Sequence, residues 1–206
     1  MADFIETLTQ YFAQFPGIGK RQARRMVYYL LRKNKTYTDG LIHQLEHLHD
    51  QLGLCSESYQ FFYKEHPDET KAPIARNPDR DRTTIMIVEK DMDIEAMEMS
   101  RAYHGTYFVL GGLFPALETK YNPVRTDELI REITRRATEE TLGEIIFALS
   151  VNPESEHTRM MLMQHLKPLA QKYEFSISQL GRGLSTGSEL EYADGDTLAH
   201  ALHKRS

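Results

Sequence analysis

The stretch from residue 84 to residue 180 most constrains the fold, because short apolar runs alternate in it with helical segments. The runs are predicted as buried strands at 84–88, 107–110, 145–149 and 175–180. The segments between them are predicted as helices at 94–103, 126–137 and 154–170. A helix between consecutive strands favours a right-handed crossover. The alternation therefore predicts an α/β fold with a mostly parallel sheet and helices on both of its faces.

The flanking regions have different patterns. Apolar residues recur at helical spacing in three segments of the first 52 residues, and Thr38 or Asp39 is predicted as the N-cap of the third helix. A polar stretch from 56 to 82 contains three prolines and shows neither period, so we predict an irregular inserted module. A last helix is predicted at 194–203.

Residues 16–25 read PGIGKRQARR, a two-glycine turn that opens into a basic helix. Gly17 and Gly19 can adopt positive φ and leave room for close backbone approach, and the first turn of the helix offers unpaired N–H groups to an anion. Residues 16–38 carry seven Lys or Arg and no acid, in a chain of net charge −5. The pattern favours a nucleic-acid phosphate site, although a plain helix connector with solvated charges is the alternative. The candidate cations are Lys20, Arg21, Arg24 and Arg25.

Polar and acidic side chains follow two predicted strands. Glu89 follows the first, and Asn152, Glu154 and Glu156 follow the third. Functional groups gather beyond the carboxyl ends of parallel strands, where carboxylates could share a Mg²⁺ ion. The alternative is that Glu154 and Glu156 favour the dipole of the following helix.

Cysteine content and hydropathy restrict the setting. The single cysteine, Cys55, excludes a disulfide framework and a cysteine-rich metal site within one chain. No apolar run approaches the ~20 residues that cross a bilayer, and the N-terminus lacks a secretion signal. We therefore expect a cytoplasmic protein without a membrane partner.

Six segments resemble the RecR family of bacterial recombination mediators, in the same order and spacing. They are 16–25, 76–89, 107–112, 152–153, 166–169 and 182–194. The resemblance covers nearly the whole chain. It implies a helix-hairpin-helix region (1–53), a degenerate zinc-finger-like module (54–82), a Toprim domain (83–180) and a C-terminal Walker-B-like segment with a helix (181–206).

The resemblance also implies a function. Members are non-enzymatic clamps that bind single- and double-stranded DNA, form tetrameric rings, and act with RecO and RecF to place the RecA recombinase on gapped DNA. Arg21 and Arg25 fall on the family's DNA-contacting Lys and Arg. The N-terminal helices and the tail at 184–194 are the candidate subunit contacts.

The zinc-finger cysteines are largely replaced. The four family positions correspond to Cys55, Ser58, Ala72 and Ala75. Alanine cannot ligate zinc, so the resemblance implies that zinc is lost and that the module is held by packing. The aromatic candidates for this packing are Tyr59, Phe61, Phe62 and Tyr63. A substitute site is the alternative, built from His43, His47, His49, Cys55 and His66.

The Toprim acids also depart from the catalytic pattern. Catalytic Toprim enzymes carry a Glu after the first strand and Asp-x-Asp after the third, where this chain has Asn152-Pro153-Glu154. The lost charge is typical of RecR and favours a non-enzyme, while weak Mg²⁺ binding or an acidic contact with RecO stays open. The rival functions are a Mg²⁺-dependent nuclease or primase-like enzyme using Glu89, Glu154 and Glu156, and a structural partner of RecO that does not bind DNA alone.

Overall fold

The computed structural model describes residues 3–115 and 124–181. The predicted helix at 194–203 and the Walker-B-like segment from 182 onward lie outside the described residues. The chain divides into two compact units, Met1–Leu52 and Gly53–Ser206. Within the described parts, no helix is both long and apolar enough to cross a membrane.

The first unit is helical. Its helices are α1 (Phe4–Phe12), α2 (Lys20–Leu31), α3 (Lys35–Glu46) and α4 (Leu48–Gln51). The predicted N-cap of the third helix was wrong, because Asn34 caps α3 by accepting a hydrogen bond from the Tyr37 N–H at 3.0 Å. Thr38 and Asp39 therefore lie inside the helix, where the Thr38 hydroxyl donates to the Lys35 carbonyl.

From residue 52 onward, strands and helices alternate. In chain order they are β1 (Leu52–Leu54), β2 (Phe61–Tyr63), α5 (Pro73–Arg76), β3 (Asp81–Val88), α6 (Asp91–Ser100), β4 (Gly105–Val109), α7 (Thr126–Glu139), β5 (Glu144–Ala148), α8 (Pro153–Tyr173) and β6 (Ser176–Gln179). All four strands predicted between 84 and 180 are present, so the α/β prediction is confirmed.

The main sheet is parallel throughout, with strand order β4-β3-β5-β6. Strand β3 is buried on both faces because its apolar residues alternate between two cores. Ile85 and Ile87 pack with residues of α7 and α8, whereas Met86 and Val88 pack with Ile94 of α6. Helices therefore cover both faces, as predicted.

The strand order creates a switch point at the carboxyl edge of the sheet. From β3 the chain passes through α6 to β4 on one side, and from β5 it passes through α8 to β6 on the other. The carboxyl ends of β3 and β5 are adjacent, with Val88 opposite Ala148 in the register. In such sheets this is where a ligand crevice opens.

The module before β3 is more ordered than the sequence predicts, since it contains a two-stranded sheet of β1 and β2 and the short helix α5. The aromatic packing prediction was only partly correct. Phe62 is buried, but Phe61 and Tyr63 are exposed because side chains alternate along β2. Tyr59 instead packs on Phe108 in the main core, with ring centroids 5.3 Å apart.

Candidate nucleic-acid interface

The turn before α2 is shaped by its proline and first glycine. The Phe15 carbonyl accepts a hydrogen bond from the Ile18 N–H at 3.0 Å, and Gly17 has φ +74°. A type II turn requires a positive φ at its third position, here Gly17, and favours proline at its second. Gly19 does not use this freedom, since it has φ −78° and is the extended N-cap residue of α2.

Helix α2 begins without a side-chain cap. Its first N–H groups therefore lack the side-chain acceptor that most N-caps supply, and they point out of the positive end of the helix dipole. Gly19 has open space around the position of a Cβ atom. An anion can therefore approach this end of the helix without steric obstruction from the cap.

The structure brings the four predicted cations together. One shallow groove of about 490 Å³ is lined by Lys20, Arg21, Arg24, Arg25 and Tyr28. All five side chains are exposed. Sequence reasoning missed Tyr28, although its position seven residues after Arg21 places both on one face of the helix.

The four cations differ in their partners. Glu6 of α1 accepts from Lys20 at 2.7 Å and from Arg24 at 3.0 Å. The hydrogen bond from Lys20 and the charges of both cations lower the pKa of Glu6. Among the described residues, neither Arg21 nor Arg25 has a carboxylate partner, and Arg25 contacts only the Gln22 side-chain oxygen, at 3.4 Å. Arg21 and Arg25 are therefore the groove cations with charge most available to a phosphate.

The Toprim-like positions lie at the switch point. Glu89 directly follows β3 and is half-buried, whereas Asn152 and Glu154 are exposed at the start of α8. The Asn152 side chain accepts from the Ser155 N–H at 2.8 Å and caps α8, and Glu156 pairs with Arg159. This pattern fits the helix-capping alternative. Weak Mg²⁺ binding at these positions stays a prediction.

Metal-ligating side chains are not clustered in the parts of the chain that the structure describes. There, no group of three or more His, Cys, Asp or Glu side chains could hold a metal ion. Within the first unit, the rings of His43 and His47 lie 4.5 Å apart between centroids, and His47 Nδ1 lies 3.8 Å from Asp50. Within the second unit, Cys55 is fully buried. The substitute zinc site stays a prediction.

The four former zinc positions are all buried, but they do not fit a zinc ion. Cys55, Ala72 and Ala75 form a small apolar cluster with Phe62, and the Ser58 N–H donates to the Cys55 sulfur at 3.5 Å. Two alanine methyl groups occupy the positions of the second ligand pair. Structural zinc needs four strong ligands, and these four side chains do not supply them.

An ion-pair network lies beside this cluster and centres on Glu57. The Glu57 carboxylate contacts Lys71 at 2.6 Å and Arg82 at 3.1 Å, and lies 3.7 Å from Arg135 and 3.9 Å from Arg136. Burial raises its pKa, but the hydrogen bonds and charges of Lys71 and Arg82 outweigh this and leave the pKa below its ordinary value. The network was not predicted, since its members are distant in sequence.

A second carboxylate, Glu140, completes the network. It accepts from Arg82 at 2.8 Å and from Arg135 at 2.7 Å. The Arg82 hydrogen bond is the largest cause that lowers the pKa of Glu140 to about 2, despite partial burial. Arg136 is completely buried and donates to Glu132 and to the Thr106 hydroxyl.

The chain contains a basic groove on α2 and a parallel sheet with acids at its switch point. A basic groove of this kind is the electrostatic signature of the class of nucleic-acid-binding proteins. Family models agree. Residues 5–49 match the helix-hairpin-helix region of RecR, residues 83–180 match the Toprim domain, and residues 183–206 match the C-terminal region of RecR.

Similar whole proteins support the same conclusion. The chain is 36% identical over 201 residues to the recombination protein RecR of Chloroflexus aggregans, covering 98% of this chain and 92% of that protein. It is 35% identical over 202 residues to the recombination protein RecR of Amoebophilus asiaticus, covering 98% and 94%. The chain belongs to the RecR family, and family membership supports a role in recombinational DNA repair.

Proposed function

We propose that this chain is a non-enzymatic DNA-binding clamp that assists the loading of RecA on gapped DNA, with RecO and RecF as its partners. The groove on α2 is the observation that carries the proposal, because two of its four exposed cations lack a carboxylate partner among the described residues. Cations without partners can neutralise phosphates and release counterions. Phosphate contacts of this kind carry no base preference.

The acid positions support a non-enzymatic role. Asn152 has no charge, and its side-chain oxygen is engaged as the cap of α8. A two-metal or one-metal phosphoryl transfer site requires carboxylates that hold the ion in place. A contact of Glu89 and Glu154 with a basic surface of RecO, or weak Mg²⁺ binding, is part of this proposal.

The proposal includes a homo-oligomer, a ring of four copies. Among residues 3–52, only Thr9, Ala23 and Val27 are buried, so these helices lack a core of their own. Their apolar side chains surround a groove of about 400 Å³, and Leu31, Ile42 and Leu45 on its rim are at least half exposed. A second copy presents the same surface, and a two-fold interface would bury both.

We also propose that the finger-like module folds without zinc, on the support of its apolar cluster and the Glu57 network. Metal analysis of the purified protein, before and after dialysis against a chelator, tests this. The melting temperature should be the same in both samples. A stoichiometric zinc content, with loss of stability after chelation, would contradict it.

Charge reversal in the groove tests DNA binding. The double variant Arg21→Glu/Arg25→Glu should lower the affinity for DNA by about tenfold or more, and should lower the slope of log affinity against log salt by roughly 1.4 for a single strand. The matched control is Arg32→Glu/Lys35→Glu, which changes the net charge equally outside the groove. Equal losses in the two double variants would show that net charge, and not the groove, governs binding.

A further inference from the structure

Tyr28 extends the cationic groove with an aromatic surface. It follows Arg21 by seven residues and Arg25 by three on α2, so the three side chains lie along one helix face over about 10 Å. Tyr28 lines the same groove as the four cations, and 48% of its surface is exposed.

The ring of Tyr28 is available for a ligand. Among the described residues, no side-chain hydrogen bond, cation contact or ring contact of Tyr28 is present. The adjacent Tyr29 differs, because it packs edge-on against Tyr37 with centroids 6.3 Å apart, and Lys33 Nζ lies 4.6 Å from its ring centre. Interactions within the chain thus engage Tyr29 and leave Tyr28 facing the groove.

We propose that the groove binds single-stranded DNA, with phosphates at the cations and one base stacked on Tyr28. The inference rests on the proposed DNA binding and adds the form of DNA. Cations alone do not distinguish a single strand from a duplex, since both present phosphates. A base face distinguishes them, because duplex bases are stacked on one another, whereas a single strand can place a base on an aromatic ring.

The composition of the groove fits phosphate binding combined with stacking. Its lining residues are four cations, which can bind phosphates in any sequence, and one aromatic side chain. Every base has a π face, so stacking tolerates any sequence. The groove should therefore prefer single strands while remaining indifferent to their sequence.

Fluorescence anisotropy with a labelled single strand, an abasic strand of equal length and the matching duplex tests the inference. Tyr28→Ala should weaken binding of the normal single strand by about 5- to 100-fold, and binding of the other two by less than about twofold. Tyr28→Phe should bind as the unchanged protein does. Tyr11→Ala, a change of an exposed tyrosine of α1 outside the groove, is the control and should have no effect.

Each result separates the two proposals. The unchanged protein should also bind the abasic strand about as weakly as Tyr28→Ala binds the normal one, which tests stacking without relying on a variant. Equal losses on all three DNAs would overturn the stacking role and indicate that Tyr28 shapes the groove. No loss in Tyr28→Ala, with binding abolished in Arg21→Glu/Arg25→Glu, would overturn this inference and leave the DNA-binding proposal intact. Full binding by both variants would overturn both.

Discussion

Replacing Glu57 with glutamine tests whether ion pairs hold the finger-like module to the sheet. Apart from the more exposed Lys71 and Glu139, the network consists of three carboxylates and three guanidinium groups. The carboxylates are Glu57, Glu132 and Glu140, and the guanidinium groups are Arg82, Arg135 and Arg136. Glutamine keeps the shape of the side chain and removes one negative charge, so the variant leaves an excess positive charge beside the fully buried Arg136.

The magnitude depends on how buried the remaining cations are. Removing one partner of a buried pair costs roughly 3–5 kcal/mol. Arg82 and Arg135 are about one third exposed and keep Glu140 as a partner, so water and Glu140 reduce the loss. We therefore expect Glu57→Gln to lower the free energy of unfolding by about 3 kcal/mol, and the melting temperature by roughly 6–12 °C.

Urea denaturation followed by circular dichroism is the suitable assay, because urea does not screen charges and the chain has no tryptophan for fluorescence. The matched control is Glu139→Gln. Glu139 also pairs with Arg135, at 3.5 Å, but 65% of its side chain is exposed. The control should lose less than about 1 kcal/mol. If Glu57→Gln loses no more than Glu139→Gln, the network does not stabilise the module.

Three further predictions concern the turn, the groove and acid pH. Gly17→Ala should lower the free energy of unfolding by about 1 kcal/mol in a thermal melt, because Gly17 has φ +74°. Gly40→Ala, inside α3 with open space around the added Cβ atom, should raise it by about 0.5 kcal/mol. Changes of the same sign would contradict this prediction. Glu6→Gln should raise DNA affinity and steepen its salt dependence, because it frees two groove cations; an unchanged salt slope in anisotropy titrations would argue against it. The pKa of Glu140 falls from 4.5 to about 2 on folding, so the stabilisation by this carboxylate is present above pH 4.5 and is lost as the pH falls towards 2. Glu140→Gln should therefore reduce the pH dependence of the urea-measured free energy of unfolding between pH 4.5 and 2. An unaltered pH dependence would refute the role of Glu140 in acid stability.

Strong local signals made the sheet predictable. Residues 85–88 are apolar and mostly β-branched, and the structure buries all four in the central strand. Helix boundaries were less predictable because capping is decided by tertiary geometry. Helix α6 begins at Asp91, three residues before the predicted start, since Asp93 accepts from the Lys90 N–H at 3.0 Å.

The groove was largely predictable, and the network was not. The cations and Tyr28 share one helix, so 3.6-residue periodicity was sufficient to place them together. Glu57 and Arg82 are 25 residues apart, and Arg82 and Glu140 are 58 apart. No periodicity relates such positions, and only the folded sheet brings them into contact.

The loss of zinc ligands changes what the finger-like module depends on. A structural zinc ion supplies roughly 10–16 kcal/mol of folding free energy, which can hold a small module by itself. Without zinc, the module would depend on its apolar cluster, on the Glu57 network and on its contacts with the sheet. Its backbone makes such contacts directly: the Ser58 carbonyl accepts from the Val109 N–H at 2.8 Å, the Tyr59 carbonyl accepts from Arg125 at 3.0 Å, and the Phe61 N–H donates to Asp91 at 2.7 Å. These bonds tie the module to β4, to the residue before α7 and to α6. The module should therefore unfold together with the sheet and not as a separate metal-dependent domain.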